Sequence, residues 1–209
     1  MRSEKHRMTR RKGLRQAATR AVLCAALCLF VLSAASAQAR ASTHGWDGGH
    51  VAQGWSAASG TAYFAEGTTR NGFEEWLLLR NPGADPTTVS VAYSFPDRGT
   101  RRQQLKLEPW SGASVCVNEA VGADRDVSVS IRSTPGIIAE RQIYFNYKCA
   151  WTGGTVVRGV ESPKAEWFFA EGTTRRGFQE WLCIQNPGKN EVEATVTYML
   201  ATGENREQK

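Results

Sequence analysis

Thr87-Thr88-Val89-Ser90-Val91-Ala92-Tyr93-Ser94-Phe95 carries an apolar side chain at every second position from Val89 onward. A period of two places Val89, Val91, Tyr93 and Phe95 on one face of an extended strand. Turn-forming clusters bound the stretch, Asn81-Pro82-Gly83-Ala84-Asp85-Pro86 before it and Pro96-Asp97-Arg98-Gly99 after it. Val127, Val129 and Ile131 alternate in the same way. Working outward, strands are predicted at 61–66, 73–80, 87–95, 101–107, 112–118, 126–132 and 137–147. No stretch after residue 39 sustains a 3.6-residue apolar period. Short strands separated by regular turns predict an all-β fold, an antiparallel, immunoglobulin-like β-sandwich. Its core is expected to hold Val89, Val91, Tyr93, Phe95, Val127, Val129 and Ile131.

The same region returns along the chain. Tyr63-Phe64-Ala65-Glu66-Gly67-Thr68-Thr69-Arg70-Asn71-Gly72-Phe73-Glu74-Glu75-Trp76-Leu77 matches Phe168-Phe169-Ala170-Glu171-Gly172-Thr173-Thr174-Arg175-Arg176-Gly177-Phe178-Gln179-Glu180-Trp181-Leu182 at an offset of 105. Trp46-Asp47-Gly48-Gly49 matches Trp151-Thr152-Gly153-Gly154 at the same offset. Aligning 46–98 with 151–203 gives 22 identities in 53 positions. A period this long fits a whole small domain rather than a solenoid unit. The expected organisation is a signal peptide at 1–39, a linker with the W-x-G-G motif at 40–60 and a complete sandwich repeat at 61–150. A second linker at 151–163 and a truncated second repeat at 164–209 follow. Lys209 corresponds to Gln104, so the second copy is expected to expose an apolar face and to self-associate through it.

Composition agrees with a globular, soluble protein: of 209 residues, 41% are apolar, 22% charged and 10% aromatic. The net charge of +6 is a property of the leader. Residues 1–39 carry eight Lys/Arg and one Glu, a net +7, and +6 less +7 leaves −1 for residues 40–209. No basic field remains to hold nucleic acid or anionic lipid. The leader runs from basic residues through the apolar stretch Ala21–Leu32 to Ala37-Gln38-Ala39, whose small residues suit signal peptidase. Cleavage is therefore expected between Ala39 and Arg40. The apolar run is shorter than the ~20 residues of a membrane-spanning helix, which disfavours an uncleaved anchor. Thr9-Arg10-Arg11-Lys12-Gly13-Leu14 is similar to a twin-arginine signal, with Gly13 where an aromatic is usual. Leu23 and Leu27 before the two leader cysteines argue against a lipoprotein box. The mature chain is expected to be secreted or at the cell surface, with no membrane span.

The signature W/Y-F-A-E-G-T-T-R-x-G-F-x-E-W-L…N-P-G, closed by A-E-R-x-I-Y-F-N-Y-x-x-x-W-T-G-G, resembles a family of secreted bacterial repeat domains. They occur mainly in high-GC Gram-positive bacteria and have no known function. The resemblance covers 46–209. It implies a β-sandwich module found in tandem or beside cell-wall or surface domains, and it implies no activity and no catalytic residues. The chain departs from it in the missing second half of copy two and in Cys116 and Cys149.

The residues offer little for catalysis. Of three histidines, His6 lies in the leader and His44 and His50 precede the first strand, so no repeat contains a Ser-His-Asp or Cys-His device. His44, Asp47 and His50 would make a metal set, but the second copy has Thr152 and Thr155 at the last two positions. No metal, cofactor or enzyme activity is expected. Glu66 and Glu75 recur as Glu171 and Glu180, and Arg70 or Arg175 beside them is expected to form a bracing ion-pair cluster that lowers their pKa values. Cys116 and Cys149 are candidates for a disulfide closing a 34-residue loop, worth roughly 3–4 kcal/mol. Cys183 matches Leu78 and reads as a packing position. Along 73–80, Phe73, Glu75, Leu77 and Leu79 share the expected core face. Trp76 and Trp181 then fall on the outer face, where an indole stacks on a sugar or packs on another protein. The leading reading is a non-catalytic surface, stalk or protein-interaction module. A carbohydrate- or cell-wall-binding module, or the accessory part of a secreted enzyme, are the alternatives.

Overall fold

The computed structural model describes residues 50–97 and 99–209. The leader, the junction Ala39–Arg40, and His44 and Asp47 lie outside the described residues. The fold is all-β and antiparallel, with strands β1 (Ser59–Phe64), β2 (Phe73–Arg80), β3 (Thr87–Ser94), β4 (Thr100–Leu107) and β5 (Gly112–Cys116). A short helix α1 (Val117–Val121) precedes β6 (Ser128–Tyr147) and β7 (Trp151–Arg158). A separate hairpin, β8 (Val196–Met199) with β9 (Asn205–Gln208), lies near the end of the chain.

The seven strands make one curled sheet in which β6 serves both halves. Its first half pairs with β3 and β1, so that Ile131 faces both Val91 and Ala62. Its second half pairs with β2 and β7, so that Gln142 faces both Trp76 and Val156. Two strands were expected here, divided at Ser133-Thr134-Pro135-Gly136. Instead one strand of twenty residues runs through that tetrad and changes partners at it. Pro135 has no N–H to continue a ladder, and Gly136 lets the backbone approach Ser59, whose carbonyl carbon lies 2.8 Å from where a Cβ would sit. Turn chemistry here bends a strand from one layer into the other.

The inner faces of the curled sheet form one core. Val89, Val91, Tyr93, Val127, Val129 and Ile131 are buried as expected, and Phe95 packs against them partly exposed. Ala62, Phe64, Leu77, Leu79, Leu107, Val115, Val117, Val121, Ile137 and Ala139 complete it. Strand β5 ends at Cys116, two residues short of the expected 118, because Asn118 is needed elsewhere. Its side chain accepts from the Glu75 N–H at 2.9 Å and donates to the Phe73 carbonyl at 2.9 Å, serving β2 where a strand partner would.

The expected linker 151–163 instead contains β7, paired with β6 over Trp151–Arg158. The W-x-G-G motif explains the pairing. Gly154 lies opposite Tyr144 and Gly153 opposite Phe145. A Cβ on Gly153 would come within 2.9 Å of the Phe145 ring, and one on Gly154 within 3.2 Å of the Tyr144 ring. Each glycine thus makes room for an aromatic ring, on opposite faces of the strand, in the manner of cross-strand aromatic–glycine pairs. Trp151 stacks on Tyr147 with centroids 5.9 Å apart. Beyond β7, Val160 exchanges backbone hydrogen bonds of 2.8 and 2.9 Å with Tyr63. A fragment ending at Ala150 should therefore melt cooperatively about 10 °C below one ending at Ser162, the equivalent of a few kcal/mol. Equal midpoints by circular dichroism would show that β7 contributes nothing.

Residues 164–209 reproduce local geometry of the domain at the offset of 105. Asn81 donates to the Asp85 carbonyl and Asn186 to the Asn190 carbonyl. Tyr93 donates to Gln103 and Tyr198 to Gln208. Val91 pairs with Gln103 and Val196 with Gln208. Gly72 and Gly177 both adopt positive φ, 85° and 93°. The burial differs: Phe64 is 3% exposed and Phe169 66%, Leu79 3% and Ile184 61%.

Candidate functional site

The outer face of β5-β2-β6-β7 is a grid set by strand register. One row runs Ser114, Leu78, Glu140, Arg158, and the next runs Cys116, Trp76, Gln142, Val156. Glu74, Tyr144 and Gly154 form the third. Alternation along β2 explains why Trp76 belongs here: Glu75, Leu77 and Leu79 are buried, while Trp76 and Leu78 are half-buried on the opposite side. The Trp76 indole N–H donates to Glu74 Oε1 at 2.6 Å. Gln142 donates to the Tyr144 hydroxyl at 2.6 Å. Trp55, from the segment before β1, donates to Glu140 Oε1 at 3.2 Å, and the Arg158 guanidinium lies 4.2 Å from its ring centroid. Next to the Trp76 row is an open depression of about 400 Å³ lined by Leu78, Arg80, Ser114, Ile138 and Glu140, among others.

Trp76 thus occupies the outer face that its position in the alternation indicated. Trp181 is 81% exposed and is not part of this grid. Sequence reasoning missed Trp55, Glu140, Gln142 and Tyr144. The last three were accessible to the same period-two argument, since they alternate with the buried Ala139, Arg141 and Ile143.

Under the opposite face of β2 lies a second polar cluster. Glu75 is fully buried, and neither carboxylate oxygen has a hydrogen-bond partner. Burial pushes its carboxyl up to about 8. The charge of Arg141 pulls it down, and Glu66 adds a smaller push upward. The expected lowering by Arg70 is corrected here. Arg70 pairs with Asp126 at the surface, and the cation beside Glu75 is Arg141, 3% exposed, whose guanidinium binds the Glu66 carbonyl and, at 3.0 Å, its carboxylate. Desolvation outweighs the arginine because that charge is shared with Glu66. Fully enclosed, the Glu75 carboxyl is out of reach of a ligand at the surface.

Cys116, Cys149 and Cys183 are free thiols, so the expected Cys116–Cys149 disulfide is corrected. Cys116 lies in register with Trp76 and Gln142, two strands across from β6, whereas Cys149 follows the end of β6 at Tyr147. That separates them by two strand spacings of about 4.8 Å and five residues at about 3.3 Å each, beyond the reach of a disulfide. Among the described residues no three His, Cys, Asp or Glu side chains gather in a metal-binding group. No helix among them is long and apolar enough to cross a membrane.

No family model matches the chain, and no curated protein matches it. Similar solved structures include the following two. The crystal structure of Thermotoga maritima 1070 shares 13% identity at a TM-score of 0.47, over 50% of this chain and 96% of that one. The Anabaena sensory rhodopsin transducer shares 19% identity at a TM-score of 0.37, over 42% of this chain and 91% of that one.

Proposed function

We propose that the domain is an exported, non-catalytic β-sandwich module that works at the cell surface by making protein contacts through the outer face around Trp76. The observation that carries this reading is the half-buried grid itself. A solvated sheet face needs only polar residues, and this one sets Trp76, Leu78 and Ile138 among Glu140, Gln142 and Arg80 beside an open depression. Apolar anchors within a polar rim are the composition of a protein interface. The basic leader and the Ala37-Gln38-Ala39 site support export.

A glycan ligand is the second reading, and one feature favours it. Trp76 sits directly across from Gln142, with the carboxylate of Glu74 next to it, so an aromatic ring and hydrogen-bonding groups share one face. Both readings meet in one experiment: the mature chain is presented to purified cell-wall polysaccharide and to the surface-protein fraction, with Trp76→Ala in parallel. Trp76→Ala should weaken binding of the true ligand about thirtyfold, the equivalent of about 2 kcal/mol for a central aromatic anchor. Loss of protein capture alone supports the first reading, and loss of polysaccharide retention alone the second. Binding to either that is indifferent to Trp76→Ala removes this face from consideration.

A further inference from the structure

Two tryptophans on the outer face are held in the same way. The Trp76 indole N–H donates to Glu74 Oε1 at 2.6 Å, and the Trp55 indole N–H donates to Glu140 Oε1 at 3.2 Å. In each pair a carboxylate sits at the N–H edge of the ring. Its charge adds to the negative potential of the indole face, so a cation over that face is attracted by both. The Trp55 pair already holds such a cation. Arg158, the cross-strand partner of Glu140, places its guanidinium 4.2 Å from the Trp55 ring centroid.

The Trp76 pair has the same two parts and faces outward. Trp76 is half-buried and Glu74 exposed. The residues in register with Glu74 across the sheet are Tyr144 and Gly154, neither of them basic. Cations of this chain lie over the rings of Phe95, Tyr147 and Trp55, and among the described residues none lies over Trp76. Glu74 forms no ion pair among them either. The second copy has Gln179 in place of Glu74 and uses it to accept from the Tyr147 hydroxyl. The indole–carboxylate pair therefore belongs to the domain alone.

We propose that Trp76 and Glu74 together receive an arginine side chain of a partner protein, its guanidinium against the ring face with the carboxylate beside it. The internal example, Arg158 on Trp55 and Glu140, identifies this occupant. Arginine suits it better than lysine, because a planar guanidinium stacks on an indole while an ammonium acts as a point charge. A carboxylate has two oxygens and several lone pairs, so Glu74 can accept from the indole and from a guanidinium at once. The inference names the partner's chemistry for the protein-contact reading of this face and rests on that reading.

The test uses the isotope-labelled mature chain and follows the indole N–H resonance of Trp76, assigned with Trp76→Phe. The probe is a short peptide with one arginine flanked by glycines, and its neutral citrulline analogue is the control. The arginine peptide should shift the Trp76 resonance, and the citrulline peptide should need about tenfold more for the same shift. Glu74→Gln should raise the arginine peptide required about threefold. The Trp55 resonance should move less, since Arg158 lies over that ring. No shift at Trp76, equal shifts from the two peptides, or a Glu74→Gln response like that of wild type would overturn the proposal. The two readings fail separately. Capture of surface protein that is lost in Trp76→Ala but unchanged in Glu74→Gln keeps the contact face and removes the arginine receptor, whereas capture indifferent to both removes the face itself.

Discussion

Replacing Glu75 by glutamine should abolish most of the pH dependence of the domain's stability between about pH 5 and pH 8. Burial raises the Glu75 carboxyl from its ordinary 4.5 to about 8 in the folded state, so across that interval the folded state holds a proton that the unfolded state has lost. Stability then falls as pH rises, at about 1.4 kcal/mol per unit. The contribution is fully present below the unfolded pKa and lost above the folded one, on the order of 5 kcal/mol in all. That is a large share of the 5–15 kcal/mol typical of a domain. Glu75→Gln keeps the shape of the protonated acid and cannot ionise, so at pH 8.5 the variant should be the more stable protein. Urea midpoints at pH 5, 7 and 8.5 decide it. A wild-type midpoint that stays level, or a variant with the same slope as wild type, would show that Glu75 is not held protonated.

Gly67→Ala should be the most damaging small substitution in the loop between β1 and β2. A Cβ there would lie 2.6 Å from Glu75 Oε2 and 2.6 Å from the Val127 carbonyl oxygen. The second contact is with backbone, and the loop has little freedom to retreat from it. Val127 donates to the Gly67 carbonyl at 2.9 Å, Thr69 donates to the Arg125 carbonyl at 2.8 Å, and the Thr69 hydroxyl donates to the Gly122 carbonyl at 2.7 Å. Overpacking of this kind costs about 1–3 kcal/mol, and contact with fixed backbone places it at the upper end, roughly 10 °C in melting temperature. Gly172→Ala is the matched control. Its Cβ would meet only the end of the exposed Glu180 side chain, which swings away, so the change should stay within about 0.5 kcal/mol. Equal losses at the two glycines would mean that the contacts around Gly67 do not set the cost.

Much of the fold was legible because alternation is a local property. Whether Val89, Val91 and Tyr93 share a face is settled by the geometry of a strand, whichever strands lie beside it. The same rule put Trp76 opposite Leu77 and Leu79, and it already placed Glu75 with them. The step not taken from that placement was that a carboxyl on a core face must lose its water. Arg141 was equally visible at an inward position of the strand 137–147, between Ala139 and Ile143. Its relation to Glu66 was not visible, because 75 residues separate the two along the chain.

By itself the sequence determined the strand alternation, the core residues, the match at an offset of 105 and the outer placement of Trp76, all of which depend on neighbours a few residues away or on comparing the chain with itself. The tertiary structure decided what depends on partners. It made Pro135-Gly136 a bend within one strand instead of a turn between two, because both halves of β6 find ladders to join. It moved 151–158 from linker to β7, because the glycines of W-x-G-G fit only against the Tyr144 and Phe145 rings across from them. It kept Cys116 and Cys149 apart, and it set Arg141 beside Glu75, so that desolvation in place of ion pairing governs the buried acid. A residue's periodicity is written in the chain, but its dielectric surroundings and cross-strand partner exist only once distant segments have met.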